Sequence, residues 1–95
     1  MKKLLPALLV IAATALTACS GAPTKFRVSC DTELDTAWQE LDIAKAEGFA
    51  GTVSYTKALS LITSAKTMQT VEKFESCYNQ ASKARFYISE SRQGR

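Results

Sequence analysis

Three stretches of the chain repeat apolar residues at spacings of three and four, the period of one face of an α-helix. In the first, Cys30, Leu34, Ala37, Trp38, Leu41 and Ala44 form the stripe, and Asp31 or Thr32 is placed to cap its start. Asp31, Glu33 and Asp35 suit the positive end of that helix, and Gly48, with Gly51 after it, stops it. In the second, Tyr55, Ala58, Leu59, Ile62 and Ala65 follow Thr52, a candidate N-cap. The third stripe is Val71, Phe74, Cys77, Tyr78, Ala81, Ala84 and Ile88, behind Thr70 as a candidate cap. The pattern predicts helices over about 31–47, 53–67 and 71–91. The junction Thr67-Met68-Gln69-Thr70 holds neither Gly nor Pro, so one long helix from 53 to 91 is the alternative. No period-two alternation and no Asn-Gly or Asp-Gly turn competes. The expected fold class is all-α, an up-down-up bundle of three helices or a hairpin with one long second helix. The helical domain is read over 30–92, and 93–95 as a frayed polar tail.

A different pattern opens the chain. Met1-Lys2-Lys3 is followed by thirteen uncharged residues, Leu4 to Leu16. That run is too short for a permanent membrane span, which needs about 20 apolar residues. A charged start, an apolar run and then small residues is the layout of a secretory signal. The residues that follow, Leu16-Thr17-Ala18-Cys19, resemble the lipobox of bacterial lipoproteins. The resemblance implies that residues 1–18 are a lipoprotein signal peptide cleaved between Ala18 and Cys19. It further implies that Cys19 carries a diacylglycerol thioether and an acylated amino group, palmitate included. Several acyl chains give stable attachment to a membrane. Ser20 stands where inner-membrane lipoproteins of enteric bacteria typically carry Asp, which points to the outer membrane and its periplasmic face. Residues 19–29, with Ser20, Gly21, Ala22, Pro23 and Thr24, read as the lipidated cysteine and a flexible tether.

Cleavage changes the charge and the cysteine count. The 12 basic and 9 acidic residues give +3, and loss of Lys2 and Lys3 leaves 10 against 9, or +1. There is no nucleic-acid footprint. The charge is divided along the chain. From Asp31 to Glu47 there are six acids and one base, and from Gly48 onward seven bases and three acids. An acidic helix packed on two basic ones accounts for this. The sharper reading is a basic patch that meets phospholipid head groups or an acidic partner. With Cys19 lipidated, Cys30 and Cys77 remain as a pair in an oxidising compartment, which reads as one internal disulfide. Two buried free thiols, or an intermolecular bond, are the other readings. Histidine is absent and two cysteines alone do not make a zinc site, so no metal and no cofactor is expected.

Catalysis finds little support. Without histidine the commonest general base is missing. Capping accounts for Asp31, Glu33 and Asp35, and Ser60, Ser64 and Ser82 have no activating partner by pattern. Small residues around Gly48-Phe49, Tyr55-Ala58 and Phe74 to Ala84 resemble, in part, the helix-turn-helix pattern of tetratricopeptide repeats. The lipobox, then AKAEGFAGTVSYTKAL, then CYNQASKARFYISESR is similar to small outer-membrane lipoproteins with alanine-containing helical-hairpin domains of unknown function. That resemblance implies a binding or structural role in the envelope, with a protein partner. Phe86 falls off the third stripe beside Tyr87, so a partner surface is expected at Phe49, Arg85, Phe86, Tyr87 and Arg92. Trp38, between Leu34 and Leu41, reads as core. The alternative function is a pilotin-like assembly factor for an outer-membrane channel or secretion system, by analogy of architecture.

Overall fold

The computed structural model describes residues 25–95. The expected signal peptide (1–18), Cys19 and the expected tether up to Thr24 lie outside the described residues. Three helices follow one another: α1 Arg27–Ala46, α2 Val53–Thr70 and α3 Phe74–Ser91. No strand occurs among the described residues, and none of their helices is long and apolar enough to cross a membrane. The bundle is up-down-up. The start of α1 meets the end of α2, where Gln69 Nε2 donates to Asp31 Oδ1, and the start of α3, where Cys30 bonds to Cys77. The C-terminal turn of α3 returns to the start of α2, where Thr52 Oγ1 lies 2.9 Å from Ser91 Oγ. Helix α3 is the central element. It packs extensively on both neighbours, while α1 and α2 touch each other least.

The core lines have the alternating three–four spacing of a packed helix seam. On α1 it runs Cys30, Leu34, Ala37, Leu41, Ala44, and on α3 Phe74, Cys77, Ala81, Ala84, Ile88, Ser91. Ser54, Ala58, Ile62 and Ala65 come from α2. Six of the thirteen apolar core side chains are alanine, so the helices approach closely over a thin core. The disulfide closes the sequence separation of 47 residues and is fully buried, with the Cα atoms 5.5 Å apart.

All three helices end in the same way. Past α1, Gly48 takes a φ of 94°. Its N–H donates to Lys45 O and that of Phe49 to Ala44 O, the paired bonds of a Schellman motif. Past α3, Gly94 takes a φ of 81°, and the N–H groups of Gly94 and Arg95 donate to Ser91 O and Glu90 O. Past α2, Glu72 holds the same left-handed position at 62°, with Glu72 N–H on Gln69 O and Lys73 N–H on Met68 O. That reversal rules out the single long helix from 53 to 91.

Several boundaries differ from those expected. Helix α1 begins at Arg27, inside the stretch read as tether, so Asp31 and Thr32 are not caps. Phe26 starts it by packing on the core, its ring 6.1 Å from that of Tyr78. Helix α2 runs three residues beyond 67, because Met68 still packs on the core. Thr70 is therefore the last residue of α2 rather than a cap of α3, which starts at Phe74. Val71 leaves the expected stripe and is 55% exposed in the turn. Thr52 does cap α2, accepting from Tyr55 N–H at 3.2 Å. Residues 93–95 are held rather than frayed, since the Arg95 carbonyl accepts from Ser54 N–H and Ser54 Oγ. Trp38 and Leu59 are 38% and 39% exposed instead of core. Each lies beside the buried line of its helix, where the thin α1–α2 contact leaves side chains uncovered.

Candidate partner-binding groove

Glu33, Glu40 and Glu47 recur every seven residues along α1 and its C-cap, so they share one edge of the helix. Arg85 and Arg92, also seven apart, share the facing edge of α3 and its C-cap. Because α1 and α3 run parallel, the two rows interdigitate. Arg85 grips Glu40 through Nε and Nη2 at 2.9 and 3.1 Å, and its Nη1 reaches both oxygens of Glu33 at 3.1 and 3.2 Å. Ser82 Oγ donates to Glu33 Oε2 at 2.7 Å. Arg92 holds Glu47 with Nε at 2.7 Å and Nη2 at 3.0 Å. Two-point pairs of this kind fix orientation as well as charge. The bonds to Glu40, and then to Glu33, hold the Arg85 guanidinium above its ordinary value. The bond from Arg92 holds the Glu47 carboxyl below its own.

Next to this ladder lies a groove of about 730 Å³. That volume falls within the range of small-ligand sites. Phe49, Phe86 and Ile88 supply its apolar surface, and Glu40–Arg85 and Glu47–Arg92 its charged rim. Phe49 is placed by the Schellman turn after α1 and packs on the core from half-buried cover. Phe86 lies off the α3 core line and is 57% exposed.

Four of the five expected surface residues, Phe49, Arg85, Phe86 and Arg92, thus gather around one groove. Tyr87 does not. It packs on the core and lines a shallower hollow of about 330 Å³ between α2 and α3, with Lys57, Leu61 and Lys83. The two arginines are also not free cations, since each is committed to carboxylates of α1. Glu40 and Glu47 belong to the groove and were not expected there. Their seven-residue spacing, matched by Arg85 and Arg92, was the available signal. Among the described residues no three His, Cys, Asp or Glu side chains gather to hold a metal ion. No family model matches the chain, and no curated protein or solved structure matches it either, so the groove is read from its own chemistry.

Proposed function

We propose that this chain is a non-enzymatic lipoprotein of the bacterial envelope, anchored through Cys19 at the periplasmic face of the outer membrane. It acts there as a small protein-binding or structural module. Anchoring rests on the lipobox-like Leu16-Thr17-Ala18-Cys19. The observation that carries the binding role is Phe86, a large aromatic left 57% exposed in a groove that Phe49 and two ion pairs also line. Aromatic anchors within a polar rim are where protein interfaces concentrate their energy.

A photoreactive residue in place of Phe86, activated in intact cells, tests the binding role. A discrete protein adduct is expected, and it should weaken when Phe49 is also changed to Ala. The same probe at exposed Thr63 on α2 serves as reference. If position 86 labels nothing that position 63 does not, the groove is not an interface. Labelled palmitate checks the anchor: incorporation should vanish in Cys19→Ser, and an unlabelled native chain would sink the lipoprotein reading.

The second reading is the pilotin-like assembly factor. Exposed Phe86 in one groove with Phe49 is the feature that favours it, because an amphipathic helix docks by setting apolar side chains into such a groove. An adduct that maps to a helix of a single outer-membrane channel would select this reading over the general one.

A further inference from the structure

Ion pairing sorts the surface charge of this bundle. Of the seven bases after Gly48, Arg85, Arg92 and Arg95 each hold a glutamate. Lys57, Lys66, Lys73 and Lys83 are exposed and form no ion pair among the described residues. Of the three acids in that stretch, Glu90 holds Arg95 and Glu72 lies 4.0 Å from Arg27, which leaves Glu75. On α1 the surviving charges run the other way, with Asp31, Asp35 and Asp42 exposed and without an ion pair against Lys45. Unpaired positive charge therefore collects on α2, α3 and the turn between them, and unpaired negative charge on α1.

The positive side has a built centre. Lys57 and Lys83 flank the α2–α3 hollow, whose surface is Leu61 and Tyr87, with Thr56 and Ser60 as hydroxyl donors. The ammonium of Lys57 sits 5.3 Å from the centre of the Tyr87 ring. No carboxylate lines the hollow. Two cations, two hydroxyls and an apolar floor fit a phosphate head group with an adjoining hydrocarbon surface.

Chain length adds a constraint. Cys19 stands six residues before Lys25. Fully extended, those residues reach about 20 Å. A domain held that close to a bilayer samples it continuously. We infer that the α2–α3 face, centred on Lys57 and Lys83, rests on anionic phospholipid head groups, with acidic α1 turned away. This deepens the lipoprotein reading and rests on it. Near an anionic membrane surface each lysine contributes about a fivefold gain in association, within a short screening distance.

The test is lysine acetylation read by mass spectrometry on the purified mature protein. It is reconstituted in vesicles of phosphatidylethanolamine alone, or of phosphatidylethanolamine with phosphatidylglycerol. Anionic vesicles should slow acetylation of Lys57 and Lys83 by about threefold or more, leave Lys45 on α1 unchanged, and lose the effect at about 0.5 M salt. Equal rates in both vesicles, or equal protection of Lys45, would overturn the inference. The mass of the Cys19 peptide in the same experiment reads the anchor separately. If that peptide carries no lipid, the anchoring reading fails. Co-sedimentation of the unlipidated chain with the same vesicles then decides the face. Binding to anionic vesicles that is lost in Lys57→Gln/Lys83→Gln supports it, and no binding or an unaffected double variant refutes it.

Discussion

The Cys30–Cys77 bridge should account for about half of the stability of this domain. It joins residues 47 apart. In the chain-entropy treatment a loop of that length constrains the unfolded chain by about 4 kcal/mol. Domains of this size have total stabilities of roughly 4–10 kcal/mol. The folded side offers little reserve, because six of the thirteen apolar core side chains are alanine, the smallest side chain able to fill such a seam. Both cysteines are fully buried, so reduction leaves two thiols in place without opening the core to water. The comparison is between the domain from Lys25 onward, oxidised, and its Cys30→Ala/Cys77→Ala variant, unfolded in urea and followed by helical circular dichroism. With a slope of about 1 kcal/mol per molar urea, the midpoint should fall by about 3–4 M. Chemical reduction of the native domain should give nearly the same fall. If both midpoints lie within about 0.5 M of the oxidised protein, the bridge is incidental and the entropy argument is wrong for this fold.

Three further outcomes follow from local geometry. Glu72→Gly should raise stability by about 0.5–1 kcal/mol, because relief of a left-handed backbone outweighs the added freedom of glycine in the unfolded chain. A lower melting temperature in that variant would refute this and mean that the exposed Glu72–Arg27 contact at 4.0 Å outweighs the backbone strain. Ser91→Ala should cost about 1–2 kcal/mol, since its fully buried hydroxyl donates to the Phe49 carbonyl and meets Thr52 Oγ1. An unchanged urea midpoint would refute that. The Glu47–Arg92 pair should set a pH dependence. Arg92 lowers the folded-state value of Glu47 below the ordinary 4.5. Its stabilisation is therefore present above 4.5 and lost as pH falls through the folded-state value. The stability difference between the native protein and Glu47→Gln should shrink from pH 7 toward pH 3, and a constant difference would rule the pair out as its source.

What was legible in the sequence was what local chemistry decides alone. Gly48 ends α1 because a left-handed position is cheapest for glycine, and Thr52 caps α2 because its hydroxyl reaches an open N–H. The Cys30–Cys77 pair was legible from the cysteine count and the compartment expected from the first 19 residues. The turn between α2 and α3 was not, because Glu72 has no intrinsic preference for a φ of 62°. The packing of Met68 before it and Phe74 after it sets the reversal. Gly94 carried the same signal as Gly48, and the tail was still expected to fray because its neighbours are polar. At the groove, exposure of Phe86 followed from its place off the stripe. The committed state of Arg85 and Arg92 did not, since it depends on the parallel register of α1 and α3. That register was half visible in the seven-residue spacing of Glu33, Glu40 and Glu47.

The alanine seam explains why so much polar chemistry is spent inside this small molecule. Alanine against alanine packs closely, but it packs almost as well one turn out of register, because small side chains leave no knobs that fit only one hole. Something else must select the register. Between α1 and α3 the Glu33–Arg85–Glu40 cluster does so, because a shift of one turn would separate each fork from its carboxylate. The disulfide locks one end and the Ser91–Thr52 contact the other. The arginines are consumed by that task, which removes them as the basis for recognising an acidic partner. The proposed recognition would then fall to groups outside this ion-pair cluster: the ring of Phe86 in the groove, and Lys57 and Lys83 at the α2–α3 hollow. The two surfaces adjoin, because the Phe86 ring lies 5.3 Å from the ring of Tyr87, which lines the lysine hollow. A domain laid on the membrane through its lysines would therefore hold the Phe86 groove at the edge of the lipid contact.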